Sequence, residues 1–234
     1  MFSLSVVFVI MSFQQLVWGD LSSVGFTKRV EVVETSVGPV RAIVVEPDSP
    51  KNQSSMTLLG IHGMSPILKY EWIRVAESLA ARYGYKVILP DFHSNVKTKP
   101  GQLKSAAFED IINNAFIKNM LRGSKNVVLM GKSWGGKMVA TYASSEQNQS
   151  KLRGMVLAAP AGISDFGSLK GVGSMHVLIM YALDDETFGD SIEKWKRLVP
   201  ADHLTIHTEK WGGHRIMDNY AGYIHKYVHD VVEK

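Results

Sequence analysis

Residues 127–136 read Val-Val-Leu-Met-Gly-Lys-Ser-Trp-Gly-Gly, and the way they change character decides the fold. Val127 to Met130 is a short apolar run opened by two β-branched residues, which favours a buried strand. Gly131 and Gly135 then bracket Ser133 in a Gly-x-Ser-x-Gly pattern. Any Cβ flanking the serine would collide across so sharp a bend, and glycine removes it. A strand that turns this abruptly into a helix holds its serine proud of the sheet, with an exposed hydroxyl and a strained backbone. The pattern is short, so its meaning depends on what the rest of the chain supplies.

Upstream, Val30–Thr35 and Val40–Glu46 alternate around Gly38-Pro39 and predict a hairpin. Met56–Ile61 is an apolar strand, Trp72–Tyr83 a helix with Val75, Ala76, Leu79 and Ala80 on one face, and Tyr85–Leu89 the next strand. Ala106–Leu121 predicts one amphipathic helix ending near Gly123, before the strand Asn126–Met130. Downstream, the helix Lys137–Ser145 is followed by strands Gly154–Ala159 and His176–Ala182. A helix Ser191–Leu198, a strand Leu204–Thr208 and a closing helix Asp218–Val232 complete the chain. Strands that alternate with helices predict an α/β fold. The central sheet should be mostly parallel, of about eight strands, with helices on both faces. In such sheets the chemistry lies beyond the carboxyl ends of the strands.

Composition narrows the function. The 234 residues are 45% hydrophobic and 21% charged, which fits one folded domain over residues 20–234 rather than a disordered chain. The net charge of +4 is spread without any Lys/Arg run longer than two, so no nucleic-acid partner is expected. Cysteine is absent, which excludes disulfides, thiolate metal sites and a cysteine nucleophile. Met1–Gly19 carries no charged residue and reads as a secretory signal cleaved before Asp20, although a basic leader segment is missing. An uncleaved hydrophobic leader or a mis-assigned start codon is the alternative for this segment, and a cytoplasmic location the alternative for the protein. The apolar stretch is too short for a stable membrane span. Two sequons, at Asn52 and Asn148, fit a secreted protein and also arise readily by chance.

Chemistry-bearing residues follow the predicted strands in order: His62-Gly63-Met64, Pro90-Asp91, Ser133, Asp184-Asp185, and Gly212-Gly213-His214. On these residues the chain resembles the α/β-hydrolase fold superfamily over nearly all of residues 28–232, in which Ser, Asp and His follow successive strand ends. The resemblance implies Ser133 as nucleophile, His214 as base and Asp185 as the acid that orients it. The family pattern of a small residue, two variable positions and Asp fits Ala182-Leu183-Asp184-Asp185 with Asp185 last, and Asp184 is the fallback. It also implies the backbone N–H groups of Met64 and Trp134 as oxyanion donors. His62 is expected to be structural beside that loop, and Asp91 to cap or brace its own.

The implied activity is that of a small uncapped serine esterase or thioesterase, acting on a small-molecule acyl substrate without cofactor or metal. Family members commonly insert a lid after the sixth strand, and Pro160–Ser174 has no room for one. Two other readings share these residues. One is a binding protein on the same fold with an idle triad. The other is deacetylation, acyl transfer or dienelactone-type cleavage by the same triad. Lys132 and Trp134 flank the serine. Lys132 either favours anionic substrates or pairs with a carboxylate, and Trp134 either narrows the acyl pocket or walls it. Gly131-Lys132-Ser133 is no phosphate loop, because position 126 is Asn where that motif needs Gly. His225 and His229, at i and i+4, are expected on a solvated helix face rather than at zinc.

Overall fold

Among the described residues an eight-stranded sheet forms the frame, in the order β1-β2-β4-β3-β5-β6-β7-β8. The strands are β1 (Phe26–Val33), β2 (Val40–Pro47), β3 (Thr57–Ile61), β4 (Lys86–Asp91), β5 (Val127–Lys132), β6 (Gly154–Ala158), β7 (Val177–Ala182) and β8 (Leu204–Glu209). The computed structural model describes residues 25–49, 53–67, 70–160, 171–188 and 191–232. The leader Met1–Gly19, Asn52 of the first sequon and most of Pro160–Ser174 lie outside the described residues.

β1 and β2 form the expected hairpin, and β2 also runs antiparallel to β4. From β4 onward every neighbouring pair is parallel. The carboxyl ends of β3 to β8 therefore open on one side of the molecule. β3, β5 and β6 are buried along their whole length, which accounts for their unbroken apolar runs.

Helices cover both faces. Strand residues alternate between two cores. Val127, Leu129 and Leu59 face α3 (Trp134–Ala143), while Val128, Met130 and Leu58 face α1 (Trp72–Tyr83) and α6 (Tyr220–Tyr227). α1 sinks Trp72, Val75 and Leu79 completely, worth about 1.5–3 kcal/mol each. Gly84 ends it at φ 74°, a left-handed turn that a β-carbon would strain. α4 (Glu146–Gln149) and α5 (Ser191–Leu198) complete the layers, and the described residues form no separate cap domain.

Three expectations need correction. β1 starts at Phe26, earlier than alternation indicated, because an edge strand exposed on both faces carries no clear alternation. β4 runs on through Pro90 to Asp91: β2 still pairs there, whereas β3 pairs only as far as Ile88, so the missing proline N–H costs no ladder bond on that side. The expected helix 106–121 is α2 (Ser105–Asp110) followed by a π-helical stretch Ile111–Met120. The apolar pairs Ile111–Ile112, Ala115–Phe116 and Met120–Leu121 step more widely than an α-helix does. The wider turn brings them all to the core, with Leu121 N–H bonded to Phe116 O.

Candidate active site

The turn at Ser133 is as tight as its glycines imply. Ser133 has φ 53° and ψ −116°, a strained backbone for a residue with a side chain. A Cβ on Gly131 would stand 2.5 Å from the Gly135 oxygen, and one on Gly135 2.5 Å from the carbonyl oxygens of Ile61 and His62. The turn is tied down by Ser133 N–H donating to Ala158 O on β6 (3.1 Å), and by Lys137 N–H donating to Ser133 O as α3 begins (3.0 Å). The serine itself is half-buried.

His214 and Asp185 are brought together. The Nδ1 of His214 donates to Asp185 Oδ2 at 2.8 Å, and the Asp185 side chain is fully buried. Its other oxygen accepts from the N–H groups of Thr187 (2.9 Å) and Phe188 (3.2 Å), so the carboxylate cannot swing away. That bond keeps the His214 Nε2 free as an acceptor. Asp184 has a different task. It is exposed and accepts from Gly213 N–H (2.8 Å) and Gly212 N–H (3.3 Å), so it braces the loop that carries His214. Those bonds, Gly213 first, hold its carboxyl below the usual aspartate range. Among the described residues no hydrogen bond joins Ser133 to His214. Nucleophile–base contacts are often long before substrate arrives.

The loop after β3 lies against the serine: a Cβ on Gly63 would meet the Ser133 Cβ at 3.5 Å. His62 sets this loop. Its Nε2 accepts from Phe92 N–H at 3.0 Å, so the proton sits on Nδ1, which donates to Gly63 O at 2.6 Å. Because a trans peptide directs its N–H opposite its C=O, holding the Gly63 carbonyl also fixes the direction of Met64 N–H. Asp91 braces the neighbouring loop, accepting from His93 N–H at 3.0 Å.

Lys132 is resolved in favour of pairing. Its side chain is 5% exposed and its Nζ lies 3.4 Å from Glu71 Oε1, while Glu71 Oε2 accepts from Ile216 N–H at 3.2 Å. One buried carboxylate thus links the serine turn, the start of α1 and the loop after His214. Sequence reasoning missed Glu71; its signal was an acidic residue directly before a helix. The Trp134 side chain is chiefly a core anchor, 6% exposed and edge-on to Phe92 and Phe108. Its remaining surface, with Met64, Leu103, Lys104, Ser133 and Lys137, lines a cleft of about 540 Å³.

Two peripheral expectations change. Asn148 is fully buried: its amide donates to Glu109 and Tyr142 O and accepts from Asn113 and Lys151. The Asn148 amide is therefore not available to a glycan. His229 is exposed as expected, whereas His225 is half-buried. His225 stacks on Tyr83 at 4.0 Å and meets the Tyr85 hydroxyl at 3.1 Å. No helix among the described residues is long and apolar enough to cross a membrane.

A family model described as the alpha/beta hydrolase fold matches residues 57–217. The chain belongs to that family. Comparison with curated proteins gives no match. Among solved structures, a lidless a/b serine hydrolase from Xanthomonas campestris superposes with TM-score 0.67 at 16% identity, over 88% of this chain and 96% of the other. An alpha-beta serine hydrolase homologue from Coxiella burnetii gives 0.66 at 12% identity, over 87% and 97%. A fungal esterase structure from Rhizomucor miehei gives 0.64 at 13% identity, over 89% and 84%.

Proposed function

We propose that the protein is a serine hydrolase that cleaves carboxylic esters or thioesters through an acyl intermediate on Ser133. The observation that carries this reading is the bond from His214 to the fully buried Asp185, made at the same carboxyl-end side of the sheet as a strained, half-buried serine. The Ser133 hydroxyl attacks the acyl carbon and gives its proton to His214 Nε2. Asp185 keeps the imidazole in the accepting tautomer and stabilises the imidazolium that forms. Negative charge develops on the former carbonyl oxygen, and the N–H groups of Met64 and Trp134 are the donors for it. His214 then protonates the leaving alcohol or thiol, and water removes the acyl group by the reverse route. The reaction calls for no cofactor. Deacetylation or acyl transfer would use the same steps with a different acyl donor or acceptor.

A fluorophosphonate probe tests this directly. The protein should label, and Ser133→Ala should abolish both labelling and ester turnover; normal labelling of that variant would sink the assignment. The idle-triad reading would instead give no labelling and no turnover of any acyl ester. We further infer secretion from the uncharged apolar segment Met1–Gly19, which N-terminal sequencing of the mature protein tests. An intact Met1 would overturn it.

A further inference from the structure

We propose that the preferred substrate is an anionic ester whose negative group is held by Lys104 and Lys137 in the cleft beside Ser133. This rests on the serine-hydrolase reading and specifies its substrate class. Both lysines are exposed and line the cleft together with Ser133, and no Asp or Glu lines it. Among the described residues neither ammonium has a carboxylate partner. Nor does either serve its helix: Lys104 stands at the cap of α2 and Lys137 near the start of α3, where a cation opposes the helix dipole. The segment that leads to Lys104 has the same sign, because residues 95–104 hold Lys97, Lys99 and Lys104 without one acid. A concave surface of one sign raises the local concentration of oppositely charged substrate. Lysine is a mobile point charge, so it accepts a carboxylate or a phosphate without demanding a fixed geometry. Met64, Leu103, Trp134 and Met138 supply apolar surface beside it for the uncharged part of the ester.

The test compares esters that differ only in charge. Mono-(1-naphthyl) adipate and its methyl-capped neutral form place the charge on the acyl side; 4-acetoxybenzoate and its methyl ester place it on the alcohol side. At low salt the kcat/KM ratio of anionic to neutral ester should be about ten-fold or more in one of the two arms. It should fall as salt is added, and collapse toward one in Lys104→Ala/Lys137→Ala. Lys137→Glu should invert it. A ratio of one or less in both arms of the unaltered protein, or a ratio the double variant leaves unchanged, overturns the proposal. Calorimetric binding of the two adipates to Ser133→Ala reads the lysines whether or not Ser133 is the nucleophile. Tighter binding of the charged adipate, lost with the lysines, supports the site even if probe labelling fails. Equal binding of both adipates refutes the acyl-side arm in the same way.

Discussion

Two sets of charges flank Ser133, and they differ in access to water. Behind it, Asp185, Lys132 and Glu71 have side chains exposed by 0%, 5% and 10%. In front and around it, Asp184, Lys104 and Lys137 are exposed. Asp184 and Asp185 are chain neighbours, and Lys132 and Lys137 sit one helical turn and a bend apart, so residue type does not decide the role. Burial does. A sealed charge must keep its partner, so it fixes geometry. An exposed charge is cheap to hold: Asp184 is bound to two loop amides, while Lys104 and Lys137 are free to meet something new.

Exchanging each aspartate is the largest expected break in that contrast. Asp185→Asn should lower kcat by ~10⁴, because the amide favours the wrong imidazole tautomer. Asp184→Asn keeps an acceptor for one loop N–H and should cost roughly ten-fold or less. Steady-state kinetics on a neutral ester reads both. Equal losses would mean that the exposed aspartate shares the orienting role.

Next comes the lysine pair. Lys132→Ala or Glu71→Ala strands a buried charge and should destabilise by about 3–5 kcal/mol in urea unfolding. Joint replacement, Lys132→Met with Glu71→Leu, should restore most of that stability while leaving the Ile216 N–H without its acceptor. Lys137→Ala should stay within about 0.5 kcal/mol of the parent. If Lys132→Ala were equally mild, the pair would be no structural tie.

The sequence already showed most of this frame. Fully buried strands such as Val127–Met130 announce themselves as apolar runs, and the glycines around Ser133 announce the turn. The order of Ser133, Asp185 and His214 along the strand ends was readable for the same reason: each chemical residue follows a strand. What stayed hidden depends on packing across the chain. Glu71 meets Lys132 and Ile216 only once α1, β5 and the β8–α6 loop are stacked, and no spacing encodes that. The π-helical turn at Ile111–Met120 was hidden because its apolar pairs also fit an α-helical stripe loosely. Asn148 looked like a surface sequon because polar residues surround it in sequence, while the fold closes Glu109, Tyr142 and Asn113 over it.

His62 carries the contrast into the loop after β3, proposed to supply an oxyanion donor, with a smaller expected effect. It is a sealed group whose influence on chemistry passes through the Gly63–Met64 peptide. His62→Leu should reduce kcat by ~10², near the loss of one oxyanion donor, and slow fluorophosphonate labelling while changing KM little. His62→Asn places an amide N–H near the former Nδ1 and should recover part of the rate. A purely structural histidine would show equal loss in both variants, scaling with stability.

The smallest effect belongs to the exposed aspartate. Its hydrogen bonds to Gly213 and Gly212 favour the ionised form and lower its pKa in the folded protein. The bracing is therefore complete above the ordinary aspartate range and is lost as pH falls through the lowered folded value. Hydrogen exchange at the Gly212 and Gly213 amides should quicken in acid, relative to the base trend, before the core opens. In Asp184→Asn the same amides should show no such acid step. A parent protein without that step would place the loop's stability elsewhere, in the Glu71–Ile216 bond, and would give the sealed set the whole task of positioning His214.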